Sequence, residues 1–276
     1  IDTNWVSSAG KFVNRFEEKG AEYHKAKHGV ALSSGTAALH MALLALNIGK
    51  DDEVIIPSLS FVAVASMVKA VGATPVMVDV NKTDWLIDPF EVRKAVTSKT
   101  KAIIPVHLYG NLCNMKELIS IAKKHNLFII EDACESIGIP VTGDISCLSF
   151  QSTKTMTVGE GGMCITNSKP LADRIRFLKD HAMTEDRKYY HTEVGWNYRM
   201  TELQAAIGCA QLEKLDKFSA KKKQIHMWYI EYLHDIENIT FQKVSNGINR
   251  YWVTPILVKH RNEIMEKLKQ FLVMLI

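Results

Sequence analysis

A chain of 276 residues that is 47% hydrophobic and 23% charged, with 15 Gly and 7 Pro, can close a substantial core and lacks the bias of a disordered or fibrous protein. Its 34 Lys and Arg against 30 Asp and Glu leave +4 spread along the sequence, with Lys221-Lys222-Lys223 the one tight basic run; this disfavours a nucleic-acid partner and suits an anionic small substrate. Cys113, Cys134, Cys147, Cys164 and Cys209 are odd in number and never spaced C-x-x-C, which argues against a disulfide framework or zinc site, and with no bilayer-length apolar run and no leader pattern at Ile1–Trp5 the expectation is a cytoplasmic protein without a membrane partner.

From residue 30 to 133 apolar runs alternate with amphipathic stretches. Helix over Thr36–Leu46, strand over Val54–Ile56, helix over Phe61–Val71 and strand over Val76–Val80 are followed by helix over Asp88–Val96 and strand over Ala102–Val106. Helix over Met115–His125 and strand over Leu127–Ile130 complete the series, with Gly49, Gly72 and Asn126 as stops. Near-continuous apolar strands alternating with helices predict a mostly parallel sheet covered on both faces, with ligands at the strand carboxyl ends. Two shorter strands, Ile145–Phe150 and Met163–Thr166, flank a loop ending Gly159-Glu160-Gly161-Gly162. A single long helix is expected from Thr201 to about Ile236, then one strand, Trp252–Val258, and one helix, Asn262–Phe271. The expected organisation is a large domain over 1–218 and a small one over 219–276.

Three places carry candidate chemistry. Ser33-Ser34-Gly35-Thr36-Ala37-Ala38-Leu39 sets hydroxyls and small residues at a helix start, where open N–H groups can hold a phosphate or where Ser simply caps the helix. Asp132 closes a buried strand, a position that calls for a ligand cation, a basic partner or a capping role. Lys154 lies between hydroxyl and apolar residues on a loop, either solvated or desolvated enough to form a Schiff base. No G-x-x-x-x-G-K-[ST] or G-x-G-x-x-G stands between a strand and a helix. In this order, a phosphate grip, a strand-end Asp and a loop Lys are what pyridoxal 5′-phosphate requires.

With Asp52-Glu53-Val54-Ile55-Ile56-Pro57-Ser58, Pro105-Val106-His107-Leu108-Tyr109-Gly110, Glu131-Asp132-Ala133, Ser149 to Gly162 and Gly195-Trp196-Asn197-Tyr198-Arg199-Met200-Thr201-Glu202 added, the chain resembles the DegT/DnrJ/EryC1/StrS sugar aminotransferases from about Phe16 to Phe218. The resemblance implies the type I, aspartate-aminotransferase-like α/β fold, with a small C-terminal α/β domain. It also implies that Lys154 holds the cofactor aldehyde, Asp132 pairs with the pyridine nitrogen and Phe61 stacks on the ring. Gly35, Thr36, Ala37 and Ser149 would hold the phosphate, joined by Asn197 from a second copy in a homodimer. Tyr198 and Arg199 are carried over as substrate-side neighbours without assigned roles. Glutamate is the implied amino donor and a nucleotide-linked keto sugar the acceptor. His181 to Arg199 and Tyr251-Trp252 are most similar to members that aminate carbon 4 of GDP-4-keto-6-deoxymannose.

Glu135 stands where many relatives carry Gln, and Ile137–Asp144 is shorter than the family's usual connection. The dehydratase branch of the family has His in place of the lysine, whereas position 154 is Lys. The alternative from another class is a non-catalytic member that binds the cofactor or a sugar nucleotide.

Overall fold

The computed structural model describes residues 6–8, 10–184, 186–187 and 189–273; the Ile1–Trp5 leader reading lies outside them. The elements in chain order are α1 (Lys11–Tyr23), β1 (His28–Leu32), α2 (Gly35–Ala45), β2 (Glu53–Pro57), α3 (Ala63–Ala70), β3 (Thr74–Val78), α4 (Pro89–Ala95) and β4 (Thr100–Ile103). Next come α5 (Met115–His125), β5 (Phe128–Asp132), β6 (Ile145–Ser149), β7 (Gly162–Thr166) and α6 (Lys169–Lys179). The last are α7 (Glu202–Leu212), α8 (Leu215–Leu233), β8 (Ile239–Phe241), β9 (Ile256–Val258) and α9 (Arg261–Val273).

β1 to β7 form one sheet in the order β1-β7-β6-β5-β4-β2-β3. All its strands run parallel except β7, which is antiparallel to both its neighbours. The strands are apolar on both faces because both faces are covered: Val54, Ile55, Ile103, Ile130 and Ile145 are buried. On one face α2 is itself core, with Ala38, Leu39, Met41, Ala42 and Leu43 buried all round its axis. A helix so enclosed cannot shift along the sheet, and its N-terminus is therefore fixed beside the carboxyl ends of β1, β5 and β6. On the other face Phe16 of α1 meets Phe150 edge-on at 5.1 Å, within a cluster that includes Met163, Ile165, Met200 and Ala205.

α1 begins at Gly10 without a side-chain cap of its own. The carboxylate of Glu202, first residue of α7, accepts the N–H groups of Phe12 (3.0 Å) and Val13 (2.7 Å) instead. Those donors would otherwise be orphaned at the helix start. Thr201 and Gln204 form a capping box on α7, and the Gln204 amide also donates to the Glu160 carbonyl at 2.6 Å, tying α7 to the Gly-rich loop.

The structure differs from the sequence expectation in several places. The helix expected from Thr201 to Ile236 is two helices, because the chain leaves α geometry at Lys214 (φ −107°, ψ 0°). The strand expected over Trp252–Val258 shrinks to Ile256–Val258, because Tyr251 turns to φ 52° and Trp252 is drawn to the Thr153 carbonyl. α1, β1, α6 and β8 complete the fold without having been expected. The short Ala133–Asp144 connection closes because Thr142 and Gly143 donate their N–H groups to Glu131 Oε1.

Candidate active site

The carboxyl ends of β1, β2, β5 and β6 surround a cavity of about 430 Å³, lined among others by Gly35, Phe61, Asp132, Glu135, Lys154 and Trp252. At the start of α2, Ser34 Oγ accepts the Ala37 N–H at 3.0 Å, while Gly35 and Thr36, in the first turn, have no intrahelical acceptor for theirs. A Cβ on Gly35 would lie 2.8 Å from Cys134 Sγ and from Ser149 Cβ, and one on Gly162 would collide with the Ser34 carbonyl. Glycine at these two positions lets the helix start sink between the strands, with N–H groups and positive dipole end facing the cavity.

Asp132, at the end of β5, is 5% exposed. Its N–H reaches Pro105 O (2.9 Å) and its carbonyl accepts from the His107 N–H (3.0 Å), so both sides of its backbone are pinned. Oδ1 accepts the Cys134 N–H at 3.1 Å. Among the described residues the carboxylate has no ion pair. Burial raises its pKa, against the lowering pull of hydrogen bonds from Cys134 and the charge of Lys154. A buried carboxylate without a cation is costly, and a protonated pyridine nitrogen is the kind of partner that removes the cost.

Beneath it, buried His107 accepts the Cys113 N–H on Nδ1 (3.3 Å), which leaves the proton on Nε2 to be donated to Glu131 (2.9 Å). Burial alone would raise the Glu131 pKa, but this bond and the N–H groups of Gly143 and Thr142 outweigh it and the carboxyl is held low. Glu131 and His107 thus brace the platform from which Asp132 projects.

Lys154 follows β6, in a turn closed by its own N–H to the Gln151 carbonyl at 2.9 Å. Its Nζ lies 3.7 Å from Glu135 Oε1 and 3.8 Å from the centroid of the Trp252 ring. Glu135 Oε2 accepts the N–H of Tyr109 at 2.7 Å. Burial pushes the Glu135 carboxyl up, with the Tyr109 N–H and Lys154 opposing. Phe61, after β2, is 67% exposed and offers the cavity a bare apolar ring. Ser149 ends β6 and lines the same space.

Two of the sequence-derived candidates stand apart. Ala37 does not line the cavity, and its N–H is committed to Ser34. Asn197 is exposed, bridges to Asp180 and accepts from Arg199 Nε (3.0 Å), away from this chain's own cavity. Arg199 pairs with Asp180 at 2.6 Å, and the Tyr198 hydroxyl is 3.3 Å from His40 Nδ1. Trp252 is a cavity residue that the sequence left without a role. Its approach to a lysine 98 positions upstream has no local signature, and only the resemblance at Tyr251-Trp252 marked the stretch.

The residues fit pyridoxal phosphate: open N–H groups for the phosphate, an unpaired buried carboxylate and a half-enclosed amine. On a seven-stranded, mostly parallel sheet, that combination defines the class as a pyridoxal-phosphate-dependent aminotransferase of type I fold. The chain belongs to the DegT/DnrJ/EryC1/StrS aminotransferase family, whose model matches residues 1–274, and it is a pyridoxal-phosphate-dependent sugar aminotransferase. It is 44% identical over 262 residues to a GDP-perosamine synthase of Caulobacter vibrioides, covering 92% of this chain and 71% of that protein. It is 40% identical over 270 residues to the GDP-perosamine synthase of Escherichia coli O157:H7, covering 95% and 74%. Among solved structures it is similar to S. venezuelae DesV in complex with a ketimine intermediate, with TM-score 0.93, 31% identity and coverage of 98% and 74%.

Proposed function

We propose that this aminotransferase moves an amino group from glutamate to carbon 4 of a GDP-linked 4-keto-6-deoxy sugar, in the manner of a GDP-perosamine synthase, and works in the cytoplasm as a homodimer with shared active sites. The observation that carries the reading is the placement of Asp132 and Lys154 in one cavity at the strand ends, beside the open start of α2. The sugar is supported by the 40% and 44% identity to GDP-perosamine synthases. The compartment is supported by five free cysteines and by the absence, among the described residues, of a helix long and apolar enough to cross a membrane. We also propose the division into a large domain over 1–218 and a small one over 219–276.

Bound in the cavity, pyridoxal 5′-phosphate supplies a carbonyl that captures amines and a ring that accepts an electron pair. Gly35 and Thr36 at the start of α2, with Ser149, would hold its phosphate, whereas the Ala37 N–H is already taken by Ser34; Asn197 would reach the same phosphate from the partner subunit. Asp132 would keep a proton on the ring nitrogen, and Phe61 would cover the ring. Glu135 would lie toward the phenolic oxygen and could share a proton with it, a role helped by the burial that raises its pKa. Lys154 would be the residue that holds the carbonyl group. As a free amine, its Nζ would be the group that takes the proton from the substrate carbon and returns it. The non-catalytic alternative is disfavoured by the similarity to GDP-perosamine synthases over more than nine-tenths of the chain.

The test is incubation with pyridoxal phosphate, 15N-glutamate and GDP-4-keto-6-deoxymannose. A 15N-labelled 4-amino sugar nucleotide is the expected product, and borohydride reduction should fix the cofactor to the peptide containing Lys154. Amination of a different keto-sugar nucleotide would displace the substrate assignment, and a reduced adduct on another lysine would displace the site.

A further inference from the structure

The segment from Ile248 to Trp252 is strapped across the turn that follows β4. The Leu112 N–H donates to Ile248 O (3.1 Å) and the Arg250 N–H to Gly110 O (2.8 Å). A Cβ on Gly110, whose φ is +97°, would lie 2.8 Å from Tyr251 N, so the strap and the turn are in close contact. Tyr251 stands in the left-handed region (φ 52°), with its ring 4.7 Å from that of His226 and its N–H bonded to Asn249 Oδ1 at 2.6 Å. A bulky residue occupies that region only when its surroundings impose it. The outcome of these constraints is the position of the next residue. Trp252 donates from Nε1 to the Thr153 carbonyl at 2.9 Å and turns its ring face to the Lys154 amine.

Among the described residues that line the cavity, Trp252 is the one from beyond residue 160. A keto carbon can be aminated only where Lys154 can reach it, so the sugar ring carrying that carbon must lie against the surface next to the amine. That surface is the indole. Its face is the negative side of the ring quadrupole, which attracts an ammonium and also the polarised C–H groups of a pyranose.

We propose that Trp252 is a substrate-positioning residue, on whose indole the hexose of the nucleotide sugar packs so that its keto carbon faces Lys154. The inference rests on the proposed nucleotide-sugar substrate. It commits Trp252 to the sugar and not to the nucleotide, because the residue touches the reacting lysine.

The experiment compares binding of GDP-mannose and of GDP, by calorimetry, to protein loaded with pyridoxamine phosphate. Trp252→Ala should weaken GDP-mannose by about tenfold and leave GDP within about twofold. Trp252→Phe, which keeps an aromatic face, should restore GDP-mannose binding to within about threefold of wild type. In turnover, KM for the keto sugar should rise while the glutamate half-reaction stays within about twofold. Should the alanine variant misfold, Trp252→Leu keeps the apolar volume without the ring face and should show the same selective loss. Equal weakening of GDP and GDP-mannose, equal slowing of both half-reactions, or no change in either would overturn the proposal. Wild-type protein that binds neither ligand would overturn the substrate reading, and this inference with it.

Discussion

Lys154 Nζ and Glu135 Oε1 lie 3.7 Å apart, with side chains only 16% and 12% exposed, and the other oxygen of Glu135 holds the backbone of Tyr109. Glu135 therefore has a charge beside the lysine and a hydrogen bond to a residue in the left-handed region (φ 61°). Glu135→Gln should keep the bond and remove the charge, leaving turnover within about tenfold of wild type. Because burial raises the Glu135 pKa, its protonation shapes the acid limb of the wild-type rate profile above the ordinary carboxylate range, and that limb should be missing in the Gln variant. Glu135→Ala leaves the Tyr109 N–H without its acceptor and should cost about 1–3 kcal/mol in denaturant unfolding. A Gln variant with an unaltered pH profile would show that Glu135 does not titrate during turnover.

Asp132→Asn preserves shape and removes the charge assigned to the ring nitrogen. Loss of a charge-assisted pair in so buried a place should cost about 2–4 kcal/mol of transition-state stabilisation, roughly 30-fold to 1,000-fold in rate. Steady-state kinetics at saturating cofactor measure this, and near-wild-type turnover would reduce Asp132 to a capping residue for the Cys134 N–H.

Asn197 does not line its own chain's cavity, and a shared site makes a specific demand. Lys154→Ala and Asn197→Asp, each inactive alone, should recover activity when mixed, since one site of a hybrid dimer carries both defects and the other neither. Random reassortment makes about half the dimers hybrid, so activity should reach roughly a quarter of the wild-type value. Subunit exchange without recovery would place Asn197 outside the partner's site.

His24 is buried between α1 and the connection after β5. Its Nδ1 lies 2.8 Å from the Gly20 carbonyl and its Nε2 accepts the Gly138 N–H at 2.8 Å. Burial, aided by the Arg250 charge and opposed by the Gly20 bond, lowers its pKa from 6.5 to about 4. The unfolded chain thus takes up this proton first as pH falls. Stability is complete above about pH 6.5 and drains away toward pH 4, by about 3 kcal/mol in all. Melting temperatures across that interval should fall less steeply in His24→Gln, and parallel curves would refute the assignment.

The central sheet was legible because its strands are buried on both faces and read as apolar runs, from Val54-Ile55-Ile56 to Ile145. Met115–His125 was read to its ends because Asn114 caps it and Asn126 stops it in the left-handed conformation. α1 was not, since its cap is a carboxylate 190 positions away on Glu202. The break between α7 and α8 escaped notice because Leu212 and Leu215, both buried, continue the helical spacing across it. In the cavity, Asp132 was marked by its place at a strand end and Lys154 by its loop of hydroxyl and apolar residues. The approach of Trp252 depends on a strap held from elsewhere in the chain.

The strand order has a consequence for synthesis. β1 precedes every other strand, yet its partner in the sheet is β7, with His28 opposite Thr166 and Leu32 opposite Gly162. On the ribosome, His28–Leu32 must therefore wait without its sheet partner while β2 to β6 emerge. An apolar segment held open for that long invites pairing with another nascent chain. Delaying residues 162–166 with slow codons should therefore lower the yield of folded protein.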